Sequence, residues 1–226
     1  MVLAATPTRC RVRVSSLCTG SRRSDAASLR KRNAFGDSLD VLRRLRGALI
    51  LKFVSTPLSG AYIVDPTLLR DDRGFFARTF CRGEFVERGL NPDVAQCNVS
   101  CNRQRGTLRG LHFQVDPHAE AKVVRCTQGV VWDVIVDLRA GSSTYRKWFG
   151  IELSAGLHNA LYVPEGFAHG FQTLSDDAEV LYMMSESYYP ESARGVRWDD
   201  PAFGIEWPIA NPTMSERDRA FPLLGQ

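Results

Sequence analysis

From Ala48 onward the chain is a succession of strand-length apolar runs, each closed by Gly, Pro, Asn, Asp or Ser, and this rhythm limits what it can fold into. "ALILKFV", "GAYIVDP", "RGFFARTF", "DVAQCNVSCN", "TLRGLHFQV", "AKVVRCTQG", "VVWDVIVDLRA", "KWFGIELSA", "NALYVPEGFAHGFQTLS" and "EVLYMMSESYY" recur roughly every 10–15 residues. That rhythm argues against alternating βαβ units, and an all-β barrel or sandwich is expected. "VVWDVIVDLR" is almost continuously apolar, as a strand buried on both faces must be. Short peripheral helices are expected at "RGEFVERGL", stopped by Gly89 with Pro92 beyond, and at "MSERDRAF", where Ser215 can cap the first turn.

Charge divides the chain in two. Residues 1–50 hold eleven Lys/Arg against three Asp/Glu, whereas the other 176 residues hold 18 basic and 22 acidic side chains. The basic excess therefore belongs to a stretch, 1–47, that is rich in Arg, Ser and Ala and lacks apolar periodicity. It is expected to be a disordered extension ahead of a domain over 48–226. Its make-up also suits an organellar transit peptide or upstream sequence joined by a misassigned start. The slightly acidic body gives no nucleic-acid surface, and no run of 18 apolar residues exists to span a membrane. Six cysteines, Cys10, Cys18, Cys81, Cys97, Cys101 and Cys126, form no C-x-x-C pair. They read as small buried thiols of a reducing compartment, which points to the cytoplasm.

Strand alternation sorts the polar residues. Gln96, Asn98 and Ser100 share one face, while Cys97, Val99 and Cys101 share the other. Gly110, His112 and Gln114 share a face, and Gly110 permits a bulge that would re-aim Arg109. Lys122 points the same way as Val124 and Cys126, so it is either at a strand end or buried for a purpose. Pro164, Gly166 and His169 give P-x-G-x-x-H, the pattern of the second half of a cupin double-stranded β-helix. A metal-binding cupin also needs H-x-H earlier, and here that place reads His112-Phe113-Gln114. With too few clustered ligands, no metal is expected.

The blocks "DDRGFFARTF", "QCNVS", "GTLRGLHFQ", "AKVVRCTQGVVWDVIVDLR", "VPEGFAHGFQTLSD", "VLYMMSESYYPES", "GVRWDDPAFGIEWP" and "SERDRAFPLL" follow one another in order over about residues 50–225. In that order they resemble the dTDP-4-dehydrorhamnose 3,5-epimerase family. The resemblance implies a cupin jelly roll, a homodimer, and a nucleotide-linked 4-keto-6-deoxyhexose as substrate, with no metal or coenzyme. It further implies conversion of dTDP-4-dehydro-6-deoxy-D-glucose to dTDP-4-dehydro-L-rhamnose by inversion at C3 and C5.

Both centres are α to the C4 ketone, so the chemistry asks for a base, an oxyanion stabiliser and an acid on the opposite face. By the resemblance these are His112 as base, oriented by Asp218, Lys122 beside the C4 oxygen, and Tyr182 as the acid. Arg73 and Arg109 correspond to arginines that hold the diphosphate. Gln96 and Asn98 correspond to a polar wall, His169 to a pocket histidine and Tyr188 to an aromatic near the nucleotide. The chain departs from the family at Arg78, Cys97, Val99 and Ala193, which read as changes in the binding wall and leave the four catalytic positions intact. Two alternatives are a single-centre epimerase of a related sugar and a non-catalytic sugar-nucleotide-binding cupin. Binding alone would not require an acid and a base on opposite faces.

Overall fold

Alternating burial along the apolar runs builds thirteen strands and two short helices among the described residues, 50–225, of a computed structural model. The 1–47 extension, with Cys10 and Cys18, lies outside the described residues. In chain order the elements are β1 (Leu51–Ser55), β2 (Tyr62–Pro66), β3 (Leu69–Asp71), β4 (Gly74–Phe76), α1 (Arg82–Val86), β5 (Gln96–Asn102), β6 (Leu108–Gln114) and β7 (Lys122–Gln128). They continue with β8 (Val130–Asp137), β9 (Trp148–Ser154), β10 (Ala160–Val163), β11 (Phe167–Thr173), β12 (Ala178–Met184), β13 (Ala193–Gly195) and α2 (Glu216–Arg219).

A six-stranded sheet runs β1-β2-β10-β7-β12-β5 and a five-stranded sheet runs β13-β6-β11-β8-β9. Both are antiparallel throughout. From β5 on, successive strands alternate between the two sheets except at the β8–β9 hairpin, the winding of a jelly roll. The run 160–173 reads as one strand in sequence, but the structure divides it. Pro164-Glu165-Gly166 turns a corner that carries the chain from one sheet to the other, with Gly166 at φ +77°. A Cβ at Gly166 would come within 2.6 Å of Arg139 Cγ, so the corner needs glycine twice over. β13, absent from the sequence reading, is a three-residue edge strand on β6.

The central core lies between the sheets, where Val124, Leu161 and Val180 meet Val131, Ile135, Leu153 and Phe171. Each such side chain, fully buried, contributes roughly 1.5–3 kcal/mol. The outer face of the five-stranded sheet is covered in turn by the C-terminal segment, with Leu111, Val134, Val136 and Ala168 against Val196 and Phe203. β8 therefore has apolar neighbours on both faces, as its sequence predicts. The thiols depart from expectation: Cys126 is buried and Cys81 half-buried, but Cys97 and Cys101 are exposed on the outer face of edge strand β5.

At the end of β8, the fully buried Asp137 accepts two hydrogen bonds from the Arg139 guanidinium and others from the hydroxyls of Ser142 and Thr144. Burial alone would raise its pKa, but these donors outweigh it and hold the carboxyl down at about 2. A carboxyl whose folded pKa is depressed stabilises the fold above its unfolded value near 4, and this contribution fades as pH falls toward 2. Asp137→Asn is expected to cost ~1–3 kcal/mol at neutral pH. Its urea midpoint should differ from wild type at pH 7 and converge with it near pH 2; a constant gap across that range would contradict the account.

Candidate active site

Two glycines bring the working side chains together. His112 lies opposite His169, and Arg109 lies opposite Phe171, so the β6–β11 register slips by one residue between them. Gly110, at φ +130°, sits where a Cβ would fall 2.6 Å from Gly170 Cα, and only a Gly–Gly contact allows this approach. In a regular strand residues three apart face opposite ways. The bulge instead brings both Arg109 and His112 onto one cavity of about 510 Å³ between the sheets.

The base-like histidine has its partner. Ser215 caps α2 by accepting the Asp218 N–H at 3.1 Å, which folds the carboxylate back onto β6. Asp218 Oδ1 lies 2.8 Å from His112 Nε2, and Oδ2 accepts the Gly110 N–H at 3.3 Å. The His112 side chain is 41% exposed and that of Asp218 only 8%, so the imidazole faces the cavity while the carboxylate is sealed behind it. Burial pushes the Asp218 carboxyl up, but His112, the Gly110 N–H and Ser215 more than reverse this, and its pKa lies below the ordinary value. An ionised carboxylate can only accept, so the ring nitrogen bonded to it carries hydrogen, and the other nitrogen is the one left for a ligand.

On the opposing sheet, Lys122 opens β7 and Tyr182 sits in β12. The Lys122 Nζ lies 2.9 Å from Glu120 Oε1 and 3.4 Å from the His112 carbonyl oxygen. The Tyr182 hydroxyl lies 3.2 Å from Ser100 Oγ, and its ring stands edge-on to His169. Burial pushes the Tyr182 phenol well above its usual pKa, with the Ser100 hydrogen bond offsetting only part, so the group keeps its proton. His112 and Tyr182 thus face one cavity from different sheets.

Gln96 and Asn98 line the cavity, and Gln96 Oε1 also accepts the Tyr188 N–H at 3.0 Å, holding Tyr188 at the mouth. The Arg109 Nε donates to Asn102 Oδ1 at 2.7 Å. His169 is buried, its Nε2 2.9 Å from Asp133 Oδ2. Of the ten residues singled out in sequence, eight line the cavity, Asp218 stands behind His112, and Arg73 is not brought to the cavity within one chain. It sits in the β3–β4 turn, 90% exposed and ion-paired with Asp71.

The departures from the family sort differently from the sequence reading. Ala193 does line the cavity. Cys97 and Val99 point outward from β5, and Arg78 pairs with Glu84, which also accepts the Leu51 N–H. These three are therefore not changes in the wall.

Sequence reasoning missed Asp133, Glu120 and Arg217. An acid inside the apolar run "VVWDVIV" was the available signal for Asp133. Arg109, Lys122, Arg194 and Arg217 face a single lining carboxylate, Glu120, which gives a cationic cavity suited to an anionic ligand. Among the described residues no three His, Cys, Asp or Glu side chains cluster as a metal would require. None of the described helices is long and apolar enough to cross a membrane.

The family model described as dTDP-4-dehydrorhamnose 3,5-epimerase matches residues 55–226. A relative of that name from Shigella flexneri is 42% identical over 169 residues, covering 74% of this chain and 93% of its own. The crystal structure of the Elizabethkingia anophelis NUHP1 protein of that name superposes with a TM-score of 0.75 at 43% identity, covering 77% of this chain and 96% of that one. The Bacillus anthracis structure of that name, with TDP and PPi bound, also gives a TM-score of 0.75, at 42% identity over 77% of this chain and all of that one.

Proposed function

We propose, because the chain belongs to the dTDP-4-dehydrorhamnose 3,5-epimerase family, that its cavity takes dTDP-4-dehydro-6-deoxy-D-glucose and inverts C3 and C5 to give dTDP-4-dehydro-L-rhamnose. The enzyme is an isomerase. The observation that carries the assignment of roles is the His112–Asp218 dyad facing a protonated Tyr182 across one cavity.

His112 takes the proton from the carbon beside the ketone, and the electron pair moves onto the C4 oxygen as an enolate. Lys122 stabilises that oxygen. Tyr182 then gives a proton to the carbon from the far side, which inverts it, and solvent restores both residues to their starting states. Arg109 and the cations around it hold the diphosphate, Gln96, Asn98 and His169 contact the sugar nucleotide, and Tyr188 stacks on the base. The proton chemistry itself calls for no metal or coenzyme.

Arg73 supports a homodimer. A diphosphate-binding arginine that stands outside its own cavity can serve the cavity of a second copy. The hairpin that carries it also presents exposed Phe75 and Phe76. Arg73→Ala is expected to raise KM about 10-fold without dissociating a dimer seen by light scattering; a monomer at micromolar concentration would refute the assembly. The free thiols suit the cytoplasm as the compartment.

The direct test is turnover of dTDP-4-dehydro-6-deoxy-D-glucose in deuterated water, followed by proton NMR. Inverted product with deuterium at both C3 and C5 is the expected result. Inversion at one centre only, or no turnover, would overturn the reading.

A further inference from the structure

We propose that Glu120 is a positioning residue for the epimerisation, holding the Lys122 ammonium so that one of its hydrogens is aimed into the cavity. The inference rests on the role given to Lys122 above.

Lys122 and Glu120 are each 6% exposed and 2.9 Å apart. An ammonium has three donors and no acceptor. Glu120 Oε1 takes one donor and the His112 carbonyl oxygen, at 3.4 Å, takes a second, which leaves the third for a ligand. The carboxylate is itself anchored, because Gln114 Nε2 donates to Glu120 Oε2 at 3.1 Å. Gln114 is fixed in turn by the segment after β12: its Oε1 accepts the Tyr189 N–H at 2.7 Å, and its Nε2 also reaches the Ser187 carbonyl oxygen at 3.1 Å. The cation is thus held by a buried chain of polar contacts that runs to the loop carrying Tyr188 at the mouth.

A lone buried ammonium is costly and turns toward water unless an anion holds it in place. Glu120 supplies that anion at 2.9 Å, so the charge needs no rearrangement when the enolate forms. Charge and not volume is the requirement, which separates this role from simple packing.

The test is steady-state kinetics on four variants of the full chain: Glu120→Gln, Glu120→Asp, Lys122→Met and the Glu120→Gln/Lys122→Met double. Glu120→Gln is expected to lower kcat about 10- to 100-fold with KM changed less than ~3-fold, short of the ~10²–10³ lost with an oxyanion donor outright. Glu120→Asp keeps the charge and should fall between Glu120→Gln and wild type. The double variant should be no slower than Lys122→Met alone, because Glu120 acts only through Lys122.

Wild-type kcat in Glu120→Gln, Glu120→Asp no faster than Glu120→Gln, or full additivity in the double variant would each overturn the proposal. Wild-type kcat in Lys122→Met would instead remove the role of the lysine itself, and with it this inference.

Discussion

Replacing His112 with asparagine is expected to lower kcat by about 10³-fold, within the ~10²–10⁴ range of a lost general base, while KM changes little. Asparagine keeps a polar group near Asp218 but has no lone pair basic enough to take a proton from carbon. The same variant should stop exchange of the C3 and C5 hydrogens with deuterated water, since no enolate forms without abstraction. Initial rates in a reductase-coupled assay read the first effect and proton NMR of the recovered substrate reads the second. Exchange at the wild-type rate would show that another group is the base. Asp218→Asn should be nearly as slow: an amide can donate to the imidazole and reverse which ring nitrogen holds the hydrogen. Its carboxyl lies below the ordinary pKa in the fold, so the dyad keeps its acceptor across neutral and mildly acidic pH.

Tyr182→Phe should separate two steps that His112→Asn abolishes together. The ring and its packing against Phe171 and His169 remain, while the hydroxyl is lost. Formation of inverted product is expected to fall about 10²- to 10³-fold, yet His112 still abstracts and returns protons on its own side. Deuterium therefore continues to enter unconverted substrate. The fold should lose only about 1 kcal/mol, the worth of one hydrogen bond to Ser100. Parallel loss of exchange and of product would show that Tyr182 is needed for abstraction too, and wild-type product formation would remove it as the acid.

Much of this fold was legible as rhythm. Turn residues at regular intervals announced an all-β chain, and the double-sided apolarity of β8 announced a strand covered by a second layer. Strand parity put Gln96, Asn98 and Ser100 on one face, which proved to be the cavity face. The same parity sends Cys97 and Val99 outward, so counting them as wall residues neglected a rule already in hand.

What could not be read depended on contacts far apart in sequence. Asp218 meets His112 across 106 positions, and the resemblance supplied that pairing where no local pattern could. Glu120 lies two residues before Lys122 in a segment that turns, so no period links the two side chains. Asp133 was visible as a lone acid in an apolar strand, but its partner His169 comes from β11. Arg73 matched its motif, and only the three-dimensional arrangement sets it apart from the cavity of its own chain.

The cap at Ser215 and the carboxylate three residues later have a consequence in time. A ribosome works from the N-terminus, so β6 with His112 emerges long before α2 does. All thirteen strands are translated before the imidazole can meet its acid. On the role proposed for Asp218, turnover begins only once the segment bearing it has left the exit tunnel and folded back onto β6.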